Sequence, residues 1–188
     1  MFKFKVVLMG DGAVGKSSLR RRFMGKTLRA TYIMTIGADF AAKTMRVGDV
    51  DVRFVIWDLA GQPHFRTVRA EFYRGARGGL LVYDITRRKT FKNVPSWMEE
   101  FVRHARKSAL AAVLVGNKVD LRGQAADVVS TEEGRQMAEE LEARFGIPVG
   151  FVETSALTGE NVDKAFMMLA EILLKILRAS VSRGVSRH

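Results

Sequence analysis

The feature that most constrains this chain is a glycine-rich stretch, GDGAVGKSS at residues 10–18. An alternating apolar run, residues 2–9, precedes it, and a segment with helical periodicity, residues 16–25, follows it. A glycine loop between a strand and a helix is typical of phosphate sites, because the N–H groups at the start of the helix point at a bound anion. The stretch fits two patterns of this kind at once, G-x-G-x-x-G and G-x-x-x-x-G-K-[ST].

The second pattern accounts for more of the residues. In a P-loop of this form, backbone N–H groups after Gly10 surround the phosphates, Lys16 reaches the β and γ oxygens, and Ser17 ligates magnesium. The dinucleotide pattern leaves Lys16 and Ser17 without a role, and it requires an acid about 20 residues further on, where the sequence has TLRAT. We therefore predict a P-loop that binds nucleotide phosphates.

Strand-like and helix-like segments alternate along the rest of the chain. The runs 39–47 and 51–57 predict a hairpin, and the continuous apolar core of GGLLVYDIT predicts a strand buried on both faces. This order predicts an α/β fold of the P-loop NTPase type, a mostly parallel six-stranded sheet with one antiparallel edge strand and helices on both faces. The predicted segments are strands at 2–9, 39–47, 51–57, 78–86, 111–118 and 148–155, and helices at 16–25, 66–75, 96–107, 131–146 and 161–178.

The size of the chain predicts one domain, because 188 residues of which 47% are hydrophobic can bury one core and are few for two. We place this domain at residues 1–178 and a flexible basic tail at 179–188, since ASVSRGVSRH loses periodicity and carries no acid. The absence of cysteine excludes disulfides, thiolate metal sites and a cysteine-linked lipid. Because MFKFKVVLMG alternates as a strand does and no apolar run is long enough to span a bilayer, we expect a cytoplasmic protein.

The formal net charge of +11 favours anionic partners such as nucleic acid, anionic membranes or acidic proteins. Nucleic-acid binding would rest on charge alone, because RNP-like aromatic motifs and zinc-finger spacing are absent. Two interpretations of the basic C-terminal end stay open. In the first, its cations hold the protein at the periphery of an anionic membrane without a lipid anchor, and this binding is weak and sensitive to salt. In the second, the same cations remain solvated. The cations are Lys175, Arg178, Arg183 and Arg187.

Three predicted strands end in polar residues. Asp58 ends one of them in WDLAGQ, where a carboxylate can reach magnesium through water, and GNKVD at 116–120 and ETSAL at 153–157 end two others. Together with GDGAVGKS and TIGADF, these motifs resemble the Ras superfamily of small GTPases, particularly its Rab branch, over residues 4 to about 178. The resemblance implies a GTP-hydrolysing molecular switch in signal transduction or membrane trafficking. The chain departs from these relatives in having no prenylation cysteine at its end.

The resemblance implies a role for each motif in binding guanine nucleotides. Asp120 accepts hydrogen bonds from the guanine N1–H and exocyclic amine, Asn117 braces the base and its loop, and Lys118 lies along the ring. The Ala156 amide meets O6. Adenine would leave the Asp120 carboxylate unpaired, which disfavours an ATP-using enzyme. The nucleotide-binding residues so implied are Gly10, Asp11, Gly12, Ala13, Val14, Gly15, Lys16, Ser17, Ser18, Leu28, Thr35, Gly61, Asn117, Lys118, Asp120, Ser155, Ala156 and Leu157.

The γ-phosphate and Mg²⁺ are implied to control two switch segments, residues 27–38 and 58–75. Thr35 ligates Mg²⁺ and touches the γ-phosphate only in the GTP state, and Gly61 donates its N–H to the same phosphate. Gln62 orients the attacking water. The metal ligands so implied are Ser17, Thr35 and Asp58, and the catalytic residues are Gln62, Lys16 and Thr35.

Partner proteins are implied to bind through residues 27–45 and 58–77: an effector, an exchange factor and a GTPase-activating protein. Phe40, Trp57 and Tyr73 occupy the positions of the aromatic triad that presents the active surface in the Rab branch, although Trp57 in a strand also fits core packing. We expect slow intrinsic hydrolysis that a partner accelerates, because no arginine can be assigned to the transition state. The arginines at 66, 69, 74 and 77 share an arginine-rich helix and predict a solvated surface.

Three residues depart from the family pattern. Leu28 stands where relatives place an aromatic that covers the guanine, which predicts weaker retention and faster exchange of nucleotide. Leu157 replaces the usual lysine of the last guanine motif. Pro63 replaces a glutamate after Gln62, and a residue before proline is pushed toward extended angles. Gln62 is thereby held either ready for the water or away from it. The second case gives the alternative function, a hydrolysis-impaired guanine-nucleotide-binding scaffold.

Overall fold

A computed structural model describes residues 1–25, 37–105 and 109–185, with side chains up to residue 180. The strands are β1 (Phe2–Met9), β2 (Ala38–Val47), β3 (Val50–Leu59), β4 (Gly78–Asp84), β5 (Ala111–Asn117) and β6 (Val149–Thr154), and the helices are α1 (Lys16–Phe23), α2 (Arg66–Tyr73), α3 (Arg88–Lys92), α4 (Val94–Ala105), α5 (Thr131–Phe145) and α6 (Val162–Val185). Short 3₁₀ turns occupy Pro63–Phe65 and Val119–Leu121.

The six strands form one sheet in the order β2-β3-β1-β4-β5-β6. Strand β2 runs antiparallel to β3 at one edge, and the other four neighbouring pairs are parallel. The predicted α/β fold, with its hairpin and its antiparallel edge strand, is confirmed. Helices cover both faces because each buried strand carries apolar side chains on both sides.

Successive residues of β1 contribute to two separate cores. Phe4, Val6 and Leu8 face the core under α1 and α6, whereas Val7 and Met9 face the core under α2 and α4. All five side chains are at most 4% exposed. The glycine-rich loop therefore starts from a strand that is fixed on both faces, which gives the site a rigid base.

Two helices differ from the prediction. Helix α3 was not predicted, because a five-residue helix is too short to show periodicity. The end predicted for the last helix near Arg178 is wrong, since α6 continues to Val185. The extension contains no proline that would end the helix, and the Ser180 hydroxyl is accommodated within it by donating to the Ile176 carbonyl one turn back. The division into a domain of residues 1–178 and a tail stays a prediction.

The carboxyl ends of the parallel strands meet at one edge of the sheet, where ligands bind in open α/β folds. The glycine-rich loop follows β1 there, and β3, β4 and β5 end nearby in Asp58, Asp84 and Asn117. Strand β2 begins at the same edge, because Ala38 pairs with Leu59. No helix in the part of the chain that the structure describes has the length and hydropathy to cross a membrane.

Candidate guanine-nucleotide site

The loop between β1 and α1 has the shape that its glycines allow and that other residues would prevent. Gly10 and Gly15 adopt φ angles of +142° and +104°. A Cβ on Gly10 would lie 2.1 Å from the Val82 carbonyl oxygen, and one on Gly15 would lie 2.2 Å from Nδ2 of Asn117. Both positions therefore require glycine, because the sheet packs directly against the loop.

Lys16 lies inside this loop and is only 6% exposed. Its Nζ donates to the carbonyl oxygens of Gly10 and Asp11, each at 2.8 Å. Burial lowers the pKa of Lys16 to about 8, although the negative charges of Asp58 and Asp11 oppose the shift. A buried cation held mainly by carbonyl dipoles is poised for an anionic ligand, which would restore its pKa.

Ser17 and Asp58 meet at the edge of the same loop. The Ser17 hydroxyl, at the start of α1, donates to Oδ2 of Asp58 at the end of β3, and Asp58 is fully buried. A hydroxyl and a carboxylate beside a phosphate loop are hard oxygen ligands of the kind that Mg²⁺ prefers. This pair therefore fits the predicted magnesium site. The third predicted ligand, Thr35, lies outside the described residues.

Asn117 connects the predicted base-binding motifs to the glycine-rich loop of residues 10–18, the predicted phosphate loop. Its Nδ2 donates to the Val14 carbonyl at 2.9 Å, and its Oδ1 accepts from the Thr154 hydroxyl at 3.0 Å and from the Ala156 N–H at 3.1 Å. The side chain is almost fully buried, so all of these bonds are protected from water. The bracing role predicted for Asn117 has this geometric support, whereas the Ala156 N–H is engaged by Asn117 in this structure.

Lys118 and Asp120 complete the base side of the site. Lys118 donates to the Ala13 carbonyl at 2.9 Å and pairs with Asp84 at 2.7 Å, so it lies across the same loop. The Ser155 hydroxyl donates to Oδ1 of Asp120, which fixes the orientation of that carboxylate. Leu157 next to this loop is 58% exposed. Leu28, the other apolar residue predicted near the base, lies outside the described residues.

Asp84 is a residue that the sequence analysis missed. It is buried at the end of β4, where it also accepts from the Thr86 N–H at 2.9 Å and from Arg87 Nε at 3.0 Å. Burial alone would raise the pKa of Asp84, but hydrogen bonds from Lys118 and Thr86 outweigh it and leave the pKa below its usual value. Its position, an acid directly after a buried strand, was the signal that could have identified it.

Gly61 packs directly on the phosphate loop. A Cβ there would lie 2.5 Å from the backbone N of Gly12 and 2.6 Å from the carbonyl oxygen of Gly10. Gln62 follows in extended conformation, with φ −75° and ψ 143°, as its position before Pro63 predicts. Its Oε1 is buried and has no hydrogen-bond partner among the described residues. The carboxamide therefore lies over the loop with an acceptor available.

Arg69 corrects one expectation, because it is not part of a solvated arginine surface. It is 3% exposed, and its guanidinium donates to both carboxylate oxygens of Glu100, at 2.8 and 3.2 Å. A further donor reaches the carbonyls of Ala60 and Gln62, at 3.0 and 2.9 Å. This burial could not be predicted from the sequence around Arg69, because its partner Glu100 lies on α4, 31 residues further along the chain.

The predicted aromatic surface exists with one different member. Phe40 is 61% exposed and stacks on Trp57 with ring centroids 5.0 Å apart, and Trp57 contacts Phe72 at 5.2 Å. The assignment of Tyr73 to this surface is wrong, because Tyr73 is fully buried. It stands four residues after Arg69, on the face of α2 that packs on the core, and its burial raises the pKa of its hydroxyl.

Comparison with known proteins agrees with this geometry. The family model described as "Ras: Ras family" matches residues 5–175. The chain is 45% identical over 180 residues to Ras-related protein RABA6b of Arabidopsis thaliana, covering 96% of this chain and 75% of that protein. It is 46% identical to Ras-related protein RABA5b of the same plant, over 97% of this chain and 78% of the relative. Ras-related protein RIC1 of Oryza sativa subsp. japonica is 44% identical, over 90% of this chain and 79% of its own length.

Proposed function

Because the chain belongs to the Ras family of small GTPases, and its relatives place it in the Rab branch, we propose that the site described above binds GTP or GDP with Mg²⁺ and hydrolyses GTP slowly. The observation that carries the hydrolytic part is the placement of Gln62. Gly61 brings the backbone within contact of the phosphate loop, and the Gln62 carboxamide lies above that loop with its Oε1 buried and unpartnered among the described residues.

The phosphates would be held by the residues that already surround Lys16. The backbone N–H groups of the loop and the Lys16 ammonium neutralise the β and γ oxygens. Ser17 and Thr35 would ligate Mg²⁺ directly and Asp58 through water, and the ion supplies positive charge next to the phosphates. The Ser17–Asp58 hydrogen bond supports this assignment, because it places both side chains at one point.

In the reaction, Gln62 Oε1 accepts a hydrogen bond from a water molecule and aims its oxygen at the γ-phosphorus. A new P–O bond forms to that water as the bond between the γ-phosphorus and the β–γ bridging oxygen breaks. The water proton passes to the phosphate, so the products are GDP and inorganic phosphate. Lys16 stabilises the negative charge that develops on the bridging oxygen. No arginine is assigned to this charge, and for that reason the unassisted rate is slow.

Guanine would be selected by the carboxylate of Asp120. It accepts from the N1–H and exocyclic amine of guanine, and the Ser155 hydroxyl holds it in place. Adenine presents no such pair of donors, so it would leave a desolvated carboxylate unpaired, and such mismatches reach discrimination of roughly 10⁴. Lys118 lies beside the ring and connects it to the phosphate loop through the Ala13 carbonyl.

Loss of the γ-phosphate would release Thr35 and Gly61, which couples hydrolysis to the shape of segments 27–38 and 58–75. Effectors, exchange factors and GTPase-activating proteins would bind through these segments. The exposed Phe40 ring, with Trp57 and Phe72 behind it, is an apolar patch of the kind that partner proteins cover. The patch therefore supports an effector surface that includes Phe72 in place of Tyr73.

The test is single-turnover hydrolysis of bound GTP by the parent chain and by Gln62→Leu. The parent is expected to release phosphate slowly, and the variant at least about tenfold more slowly, because its side chain cannot accept from the water. Gln136→Leu, the same change on the exposed face of α5, is the matched control and should match the parent.

Two results would contradict the proposal. Equal rates for the parent and Gln62→Leu would remove Gln62 from the reaction. Tight GTP binding with no phosphate release from either protein would support the alternative, a guanine-nucleotide-binding scaffold whose state is set by exchange alone.

A further inference from the structure

A buried ion pair between Arg69 on α2 and Glu100 on α4 lies next to the segment that carries Gln62, and the exposed Arg66 lies 3.7 Å from the same carboxylate. Arg69 and Glu100 have side chains only 4% and 8% exposed, and they are joined by two hydrogen bonds. Nη1 of Arg69 is directed at the backbone, where it donates to both the Ala60 and the Gln62 carbonyls. One guanidinium therefore holds the carbonyl groups of the two residues that flank Gly61.

The same helix also touches the phosphate loop. The Arg69 guanidinium lies 4.4 Å from the centre of the Trp97 ring. The Trp97 indole N–H donates to Oδ1 of Asp11 at 2.7 Å, and the Asn93 amide donates to Oδ2 of Asp11 at 2.7 Å. Helix α4 and the residue just before it thus contact residue 11 of the loop through one set of side chains and the Gln62 segment through another.

A buried ion pair is a weak explanation for stability, because removing two charges from water offsets much of their attraction. Apolar side chains of similar volume would serve the fold equally well or better. What apolar side chains could not do is donate hydrogen bonds to the carbonyls of Ala60 and Gln62. The side chain at position 69 is therefore needed more for its hydrogen bonds to the Ala60 and Gln62 carbonyls than for its charge.

We propose that Arg69 is a positioning residue for Gln62: its guanidinium, fixed by Glu100, holds the Ala60–Gln62 backbone against the phosphate loop in the position needed for hydrolysis. The inference rests on the proposed catalytic role of Gln62. Arg69 itself does not touch the nucleotide in this arrangement. It acts through the two carbonyls, and Glu100 acts through Arg69 by occupying the other edge of the fork.

The test uses variants that separate the effect of the Arg69 hydrogen bonds on the position of Gln62 from the effect of the Arg69 charge. Arg69→Lys keeps a cation beside Glu100 but replaces the planar fork by a single ammonium, which cannot reproduce the bonds to both carbonyls and to the carboxylate. The double variant Arg69→Met/Glu100→Leu removes both charges, so no buried charge is left unpaired and the fold is retained. The exposed pair Arg135 and Glu132 on α5, changed to Met and Leu, is the control.

Single-turnover GTP hydrolysis and GDP affinity are measured for each protein. Both Arg69 variants are expected to hydrolyse GTP at least about tenfold more slowly than the parent, since displacements near 1 Å have effects of that size or larger. GDP affinity should stay within about threefold, because Ala60 and Gln62 do not hold the GDP phosphates. The intrinsic fluorescence of Trp97, read in a Trp57→Phe background, should change when the guanidinium is removed.

Gln62→Leu measured alongside distinguishes the two possible failures. If Gln62→Leu hydrolyses GTP slowly while the double variant hydrolyses it at the parent rate, the positioning role of Arg69 is overturned and the proposed function stays intact. Gln62→Leu at the parent rate would overturn the role of Gln62, and the positioning role with it. A parallel loss of GDP affinity and hydrolysis in the double variant would show a structural role only and would also overturn the inference.

Discussion

Replacing Gly61 by alanine is expected to disable hydrolysis through a displacement that the structure allows us to estimate. The Cβ of alanine would lie 2.5 Å from Gly12 N and from the Asp11 carbonyl carbon. Ordinary contacts between such atoms begin near about 3.5 Å, so the segment must move by roughly 1 Å. The phosphate loop is held by Lys16 and Asn117, and we therefore expect the Gln62 segment to move away from it.

A shift of roughly 1 Å at a catalytic group can lower a rate by about 10²-fold, equivalent to about 2.7 kcal/mol in the barrier. The assay is phosphate release from protein preloaded with GTP and started with Mg²⁺, so that nucleotide exchange does not enter the rate. GDP affinity should change by less than about threefold, because Gly61 is assigned only to the γ-phosphate.

Gly123→Ala is the matched control for this change. A Cβ on Gly123 would meet no heavy atom within 4 Å, so the same substitution there introduces no contact. The reasoning is refuted if Gly61→Ala releases phosphate within about twofold of the rate of Gly123→Ala, because the close approach would then not set the position of Gln62.

Two further predictions concern the buried Tyr73, compared with the exposed Phe40, and the buried Lys16. Tyr73→Ala should lower the free energy of unfolding by about 3–5 kcal/mol, because it removes a large buried aromatic side chain. Phe40→Ala should lower the same free energy by less than about 1 kcal/mol, because this ring is exposed. Urea unfolding of the GDP-bound proteins measures both losses, and equal losses would contradict the exchange of Tyr73 for Phe72. Lys16 has a pKa of about 8 in the protein without nucleotide, and phosphates raise it on binding, so GDP affinity should be constant below pH 8 and fall above it. Calorimetry at pH 8.5 in two buffers of different ionisation enthalpy should show uptake of more than about half a proton, and no uptake would contradict the shift.

Much of the fold could be predicted because local patterns and tertiary structure agree. The bounds of β1, β5 and β6 match the predicted segments to within a residue or two. For β5 the reason is clear, since a strand buried on both faces leaves a continuous apolar run. The phosphate loop was predictable for a similar reason. Its glycines, Lys16 and Ser17 are constrained by chemistry that acts within nine residues of sequence.

The unpredicted parts depend on contacts between distant residues. Arg69 is buried because Glu100 lies opposite it on α4, and a sequence pattern over α2 alone shows only another arginine. The exchange of Tyr73 for Phe72 has a different origin. Two adjacent aromatic residues on a helix point about 100° apart, so an error of one position moves the assignment from the surface to the core.

On the proposed function, the antiparallel pairing of β2 and β3 would connect nucleotide state to partner binding through very few residues. Ala38 pairs with Leu59, Asp39 with Asp58 and Phe40 with Trp57, and the Ala60 N–H adds a bond to the Gly37 carbonyl at 2.9 Å. Asp58, the proposed magnesium-site carboxylate, thus belongs to the second rung of the ladder, and the stacked Phe40–Trp57 pair is the third. On the proposed function, fraying of these first three rungs would separate the two rings, so the loss of one phosphate would remove the recognition surface without disturbing the rest of the sheet.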